Sequence, residues 1–385
     1  MKNVRIAIIH DWLTGMRGGE KCLEVFCELF PDATLFTLVH NEGSVSPGIE
    51  NMDIRTSFLQ KIPGISRNYR SFLPLFPAAI ESFDLSGYEL VLSSSHCVAK
   101  GARSSPDSLH ICYCYTPMRY AWKFFDEYFS EEAPIKQWII SRVIERLKRW
   151  DIASNKRIDY FVAISDNVRN RIEEFYGKSA DVIYPPVDVD SFAAGEGDDG
   201  SYLIVSALVP YKRVDLAVRA FNETKKRLVI VGEGTDLIRL KRTSGENIEF
   251  KGWVSDAQLA EYYSKCRALV FPGEEDFGIV PIEAQACGKP VIAFAAGGAL
   301  ETVIPHGGTR RKASGGAPTG VFFYEQTVSA LNGAVENFEN NRQEFDPGRI
   351  RENAARFNRD RFKDEIKNYI RDKWEKYGKF KITKF

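Results

Sequence analysis

Short runs of apolar residues recur along the chain. Each is followed by a polar, glycine-bearing loop and then by apolar positions at helical spacing. The first run spans residues 4–9, followed by a loop over 10–19 and a helix expected over 20–30. Further strands are expected at 34–39, 90–93, 109–114 and 160–164. A second series begins at 202–205 and continues through 228–231, 248–250, 268–271, 290–294 and 321–323. Continuous apolar runs, rather than alternating ones, mark strands buried on both faces. Their alternation with helices predicts parallel sheets covered on both sides. Two such series predict two doubly wound α/β domains. Ligands bind such sheets at the carboxyl ends of the strands, so two facing sheets would share one cleft.

Between the two series, Pro185 and Pro186 stand side by side, and a Gly- and Asp-rich run follows at 195–200. Adjacent prolines forbid helix and stiffen a crossing, and the acidic run reads as exposed loop, which places the hinge here. From 347 to 377 the pattern becomes a long charged helix, with Phe357, Phe362, Ile366, Tyr369, Ile370 and Trp374 at helical spacing. The expected organisation is an N-terminal domain over 1–186, a second over 187–350 and a helical tail over 351–385. A chain of 385 residues is also longer than one core ordinarily organises.

Composition narrows the classes. The chain is 44% apolar and 27% charged, a globular profile. Lys plus Arg and Asp plus Glu both total 52, so no global charge points to nucleic acid. The start lacks the pattern of a signal peptide, and no apolar run reaches the length of a membrane span. Seven cysteines without a C-x2-C pair suit a reducing cytosol, and five scattered histidines offer no zinc spacing, so no metal site is expected.

The most informative loop is Gly273-Glu274-Glu275-Asp276-Phe277-Gly278-Ile279-Val280-Pro281-Ile282-Glu283. It leaves an apolar strand and opens a helix in which Pro281 is early enough to cost no hydrogen bond. Backbone N–H groups of Gly278, Ile279 and Val280 then point out of the helix's positive end, an anion site. Glu275 and Glu283, two helical turns apart, flank it as acceptors for sugar hydroxyls. Other loops at the same strand ends carry matching chemistry. Gly15, Gly18 and Gly19 open the first helix, but not in the dinucleotide pattern, which disfavours a nicotinamide cofactor. Lys212 and Arg213 follow the first strand of the second series and suit a diphosphate. Trp253 in Gly252-Trp253-Val254 is read either as a cover for a base or as packing.

The order Pro210-x-Lys212, Gly232-x-Gly234, Gly252-Trp253-Val254, then E-D-F-G-I-V-P-I-E-A-Q-A-C-G-K-P-V-I-A from Glu275, and Gly297-Gly298, resembles the nucleotide-sugar domain of family-four retaining glycosyltransferases. Two first-domain segments, from His10 to Lys21 and from Tyr115 to Trp122, are similar to bacterial surface-polysaccharide mannosyltransferases. The resemblance implies the GT-B fold. It implies an N-terminal acceptor domain, a second domain for the nucleotide sugar and a C-terminal helix crossing back onto the first. By it, Glu283 would hold the ribose hydroxyls and Glu275 the donor sugar. The amides from Phe277 to Val280 would meet sugar oxygens and diphosphate, and Lys212 would bind phosphate. Gly252 to Val254 would border the base, and Gly18 and Gly19 would approach phosphate or acceptor. Retaining chemistry of this kind proceeds without metal or cofactor, because cations and amide dipoles stabilise the leaving diphosphate.

Two departures bear on rate. Ala207 stands where the family carries an arginine five residues before the phosphate lysine, and Arg213 is the nearest replacement. Tyr115 stands where the family carries a first-domain histidine, with His96 ending the preceding strand. The expectation is transfer of a hexose, mannose from GDP-mannose, to a lipid-linked saccharide. A UDP- or dTDP-sugar donor, or a nucleotide-sugar-binding partner with little activity, remain alternatives. Residues 58–76 mix Phe58, Leu75 and Phe76 with Lys61, Arg67 and Arg70, and residues 135–150 mix Trp138 with Arg142, Arg146, Lys148 and Arg149. Both suit an anionic membrane surface as readily as a snorkelling core helix, so peripheral attachment at the cytoplasmic leaflet is expected.

Overall fold

A computed structural model describes residues 4–118, 122, 134–195, 197–307 and 316–382, without the side chains of 134–137, 139 and 379–382. Arg119, Tyr120 and Ala121 of the first-domain motif, and Met1 to Asn3, lie outside the described residues. The chain forms two units, one of Met1–Pro186 with Phe362–Phe385 and one of Val187–Arg361.

Unit one is a seven-stranded parallel sheet of β1 (Ile6–His10), β2 (Thr34–Thr37), β3 (Asp53–Thr56), β4 (Leu90–Ser95), β5 (Leu109–Cys114), β6 (Tyr160–Ala163) and β7 (Ala180–Val182). Its order is β3-β2-β1-β4-β5-β6-β7. The chain therefore winds outward in one direction from β1 and in the other from β4. These two strands pair with His10 opposite Ser94. Where the winding reverses, successive loops diverge and leave a crevice at the carboxyl ends. Ile9, Trp12, Phe76, Val91 and Val98 belong to the core on one face of this sheet.

The two strands that the apolar pattern does not announce are β3 and β7, the two edges of the sheet. Asp53-Ile54-Arg55-Thr56 alternates exposed with half-buried positions, and Ala180-Asp181-Val182 does the same. An edge strand covered less completely has no need of a continuous apolar run.

Unit two repeats the plan with six parallel strands, β8 (Tyr202–Val205), β9 (Leu228–Val231), β10 (Ile248–Gly252), β11 (Ala268–Phe271), β12 (Val291–Phe294) and β13 (Gly320–Phe323). Its order, β10-β9-β8-β11-β12-β13, puts the reversal between β8 and β11, with Leu203 opposite Leu269. Tyr202, Phe221, Val270, Phe338 and Ile350 fill its core.

The tail is two helices rather than one. Pro347–Ala355 belongs to unit two, and Arg359–Ile382 carries the chain into unit one. The break falls where Asn358 bridges Val187, so the outgoing and returning crossings pair, and the Val187 N–H donates to the Phe357 carbonyl at 2.9 Å. Asn358 then accepts from the Arg361 N–H at 2.8 Å, restarting the helix with a side-chain cap. On its unit-one portion, Phe362, Ile366 and Ile370 form a buried stripe at four-residue spacing. Phe362 packs edge-on against Phe26 and Tyr113, at 6.2 and 5.5 Å between ring centres.

Candidate nucleotide-sugar and acceptor sites

In unit two the reversal brings the loop after β8 against the loop after β11. Pro210–Lys212 is a 3-10 turn that ends with Arg213 in the left-handed region, φ +53°. That turn delivers Lys212 to the neighbouring loop, where its ammonium closes on the Glu275 carboxylate, both side chains mostly buried. The approach is close at the backbone as well. A Cβ on Gly273 would lie 2.8 Å from the Lys212 carbonyl oxygen, and one on Gly298 would lie 2.2 Å from the Phe277 Cα. Only glycine fits at either place. The Gly298 N–H donates to the Glu275 carbonyl at 2.8 Å, so the loop after β12 braces the acidic loop from its other side.

The acidic loop feeds the helix Ile279–Ala286, capped by Gly278 at φ +90° with no side-chain cap hydrogen bond. Its first-turn amides point from the helix's positive end. Phe277 turns its ring into the interior, 5.6 Å from Phe357, so only its backbone serves the loop. Glu283, two turns along from Glu275, is nearly buried and accepts from the Tyr263 hydroxyl at 2.8 Å. Burial, then the Glu283 charge, push the Tyr263 phenol well above its ordinary value, so it remains a donor. Tyr263 lies on the preceding helix, Asp256–Lys265, and its partnership with Glu283 is set by packing that sequence spacing does not display.

Arg213 does not join Lys212. Its guanidinium donates to Asp215 at 3.2 Å and to Gln326 at 3.0 Å, and Gln326 in turn donates to the Pro272 carbonyl at 2.9 Å. It therefore ties the loops after β8, β11 and β13 together. Gly252 ends β10, and Trp253 and Val254 follow it at the sheet edge, two strands from β8, apart from the Lys212–Glu275 pair. Trp253 is 77% exposed, which removes the reading of it as core packing.

In unit one the reversal between β1 and β4 is built on Asp11. This carboxylate is fully buried directly after β1. One oxygen accepts the N–H groups of His96 and Cys97, at 2.7 and 3.0 Å. The other accepts those of Val98 and Ala99, at 2.6 and 2.7 Å. Four convergent amides hold the loop after β4 in one shape. His96 Nδ1 lies 3.1 Å from the same carboxylate. That contact fixes the orientation of the ring. The His96 side chain is 31% exposed and meets the Trp12 ring edge-on at 4.5 Å.

Tyr115 serves a different purpose. Its hydroxyl donates to the Gly19 carbonyl at 2.8 Å, so its other bond, 2.8 Å to Ser94, is one it accepts. Ser94 then takes the His10 Nδ1–H at 3.0 Å. The chain of donors runs from His10 through Ser94 and Tyr115 to the start of the first helix, Gly18–Leu29. Burial foremost, with the nearby Cys22 adding to it, pushes the Tyr115 phenol well above its ordinary value. It stays protonated and internally bonded, which leaves His96 as the accessible imidazole at this edge. Gly18 and Gly19 sit in the first turn of that helix, where the Arg17 N–H donates to Glu20 at 3.0 Å. Sequence reasoning missed Asp11, Ser94 and Glu20 as the frame of this edge. The signal available was the His10-Asp11 pair at a strand end.

Residues 188–357 match the family Glycosyl transferases group 1. Unit two is a group 1 glycosyltransferase domain. The chain is also similar to a GDP-mannose-dependent alpha-(1-6)-phosphatidylinositol monomannoside mannosyltransferase of Mycolicibacterium smegmatis, 32% identical over 38% of this chain and 47% of that one. An uncharacterized glycosyltransferase of Methanocaldococcus jannaschii is 34% identical over 38% of this chain and 43% of its own. The chain thus covers less than half the length of each of these relatives. Solved structures align along nearly the whole chain. Sucrose-phosphate synthase of Thermosynechococcus elongatus has a TM-score of 0.70 at 18% identity, covering 97% of this chain and 100% of that one. Anabaena Alr3699/HepE in complex with UDP has a TM-score of 0.67 at 15% identity, covering 96% and 100%. At these identities the likeness establishes the fold, which is GT-B.

Two outcomes follow from the unit-one edge. Asn at position 11 would turn an amide N–H2 toward backbone N–H groups, so Asp11→Asn is expected to cost about 2–4 kcal/mol, read in urea unfolding of the full chain. Burial raises the Glu20 carboxyl, but the hydrogen bond and charge of His10, the charge of His96 and its own backbone bond outweigh it, and the net shift is down. A lowered carboxyl stabilises the fold fully above its unfolded value of about 4.5 and loses that contribution as pH falls through the folded value. Urea midpoints are expected to drop more steeply below pH 5 for the native chain than for Glu20→Gln.

Proposed function

We propose that this protein is a retaining glycosyltransferase that moves a hexose, mannose from GDP-mannose, to a lipid-linked oligosaccharide in surface polysaccharide assembly. The observation that carries this reading is the meeting of Lys212 and Glu275 at the unit-two strand reversal, at the head of the helix that carries Glu283. Glu283 accepts from ribose hydroxyls, its second oxygen fixed by Tyr263. Amides at the helix start and the Lys212 ammonium take up the charge that grows on the departing diphosphate, with no reorganisation at the moment of bond breaking. Glu275 accepts from hydroxyls of the donor sugar. The departing phosphate oxygen takes the acceptor's proton as the new glycosidic bond forms on the face the diphosphate leaves. In unit one, His96 is the imidazole that meets a sugar hydroxyl, while Asp11 fixes the ring. The mannosyl assignment is supported by the Mycolicibacterium relative's name.

A second reading is a nucleotide-sugar-binding partner with little turnover. Ala207 and the engagement of Arg213 with Asp215 and Gln326 favour it, because Lys212 then lacks the companion cation expected of Arg213. Hydrolysis of GDP-, UDP- and dTDP-sugars separates the two. Monosaccharide release from GDP-mannose alone is expected. Lys212→Ala and Glu275→Ala are each expected to lower it by about 10²–10³-fold. Binding of every donor without turnover would establish the second reading instead.

The acceptor side implies a membrane surface. No helix among the described residues is long and apolar enough to cross a membrane. Phe58 and Leu75 are exposed beside the exposed cations Lys61, Arg67 and Arg70, and Trp138, 61% exposed, stacks under Arg142 at 5.3 Å. The protein is expected to float with vesicles containing anionic lipid at low salt and to release as salt rises. Absence of flotation at low salt would sink the membrane assignment.

A further inference from the structure

Unit one carries a depression that none of the residues above occupies. It has a volume of about 540 Å3 and is lined by His40, Asn41, Glu42, Thr56, Gln60 and Ser66, with Ile54 the one apolar contributor. Its walls come from the loop after β2, from β3, and from the 3-10 turn Phe58–Lys61 and the short helix Ile65–Asn68 that follow.

The walls are held rigidly. Gln60 accepts from the His40 N–H at 2.9 Å and donates to the His40 carbonyl at 3.0 Å, which fixes the plane of its amide. His40 Nε2 lies 2.9 Å from Glu50, and Glu50 also accepts the Gly43 N–H at 2.8 Å. Groups locked in this way lose little freedom when they bind a ligand. The depression is also joined to the unit-one strand reversal. His40 bridges Leu13, the Leu13 N–H donates to the Val39 carbonyl at 2.8 Å, and the Asn41 N–H donates to the Leu13 carbonyl at 2.8 Å. Leu13 is two residues from Asp11. Trp12, between them, packs on Tyr69 at 5.0 Å and on His96 at 4.5 Å.

The lining selects a chemistry. Hydroxyl, amide, imidazole and carboxylate groups face a common space with no Lys or Arg among them. An anion would gain nothing there, whereas a neutral polyol finds both donors and acceptors. The same segment that supplies Gln60 and Ser66 exposes Lys61, Arg67 and Arg70, with Phe58 and Leu75. It is polar toward the depression, and cationic and apolar toward solvent. A molecule with a sugar at one end and a phosphate-bearing lipid at the other matches that division.

We propose that this depression binds the non-lipid, saccharide end of the acceptor, a neutral hexose or short oligosaccharide, with the phosphate held by the cations outside it. This rests on the glycosyltransferase reading above, and its test is independent of turnover. Octyl α-D-mannopyranoside and octyl β-D-glucopyranoside are presented to the full chain, and saturation-transfer NMR reads which protons lie against the protein. Ser66→Trp fills the depression from an exposed position and leaves the fold intact. Saturation is expected on the ring protons of at least one glycoside, falling about tenfold or more in Ser66→Trp. Equal ring saturation in the variant, saturation confined to the alkyl chain, or none with either glycoside would overturn the proposal. GDP titration calorimetry on the same samples keeps the readings apart. Intact GDP binding without ring saturation removes the saccharide site alone, whereas absent GDP binding strikes the donor reading and leaves the NMR result standing.

Discussion

A parallel sheet places all its carboxyl-end loops along one edge, and a doubly wound order must reverse once along that edge. In this chain the reversal falls between β1 and β4 in unit one and between β8 and β11 in unit two. Loops far apart in sequence are thereby laid side by side with no covalent link to hold them. Each unit meets that constraint with a charged group at the point of divergence. Lys212 and Glu275 are brought together by strand order before any chemistry is asked of them, and so are Asp11 and the loop after β4.

The two solutions differ in kind. In unit one the charge is satisfied completely, by four backbone amides and an imidazole around one buried carboxylate. A buried carboxylate is tolerable only with such a complement, and the complement makes the loop stiff. In unit two the charge is satisfied by an opposite charge on a long side chain. A lysine can move its ammonium without disturbing a backbone. The first arrangement suits orientation of an imidazole, and the second suits exchange of partners.

The sequence shows the fold well where strands are central and poorly where they are not. The central strands of both units carry continuous apolar runs, such as Ile6–Ile9, Leu90–Leu92, Leu228–Val231 and Ala268–Phe271, whereas the edge strand β10 alternates as Ile248-Glu249-Phe250-Lys251. Asp53–Thr56 and Ala180–Val182 are invisible to that pattern because an edge needs only half the cover. The tail reads as one helix because apolar positions continue on both sides of Asn358, with Phe362, Ile366 and Ile370 at helical spacing beyond it. The break comes from pairing with Val187, more than 150 residues earlier, which no local pattern can register. At the site, the glycines, Lys212 and the two glutamates are local motifs and are legible. Adjacency in sequence makes Arg213 look like a second phosphate cation, but the left-handed turn sends it to Asp215 and Gln326. Tyr115 is read by its position on a strand, and only the fold shows its hydroxyl committed to Ser94 and Gly19.

The Lys212–Glu275 contact has a consequence for selectivity. A cation already matched by an internal carboxylate is not an open trap for anions. An incoming phosphate gains only the difference between its own oxygens and those of Glu275. Inorganic phosphate would have to outcompete a tethered rival, whereas the sugar nucleotide proposed above would bring hydroxyls that give Glu275 new partners as it yields the lysine. The pair therefore rewards a ligand that carries phosphate and sugar together over one that carries either alone. On the proposed reading, the carboxylate would reclaim the ammonium once the two are parted and so favour departure of the spent diphosphate.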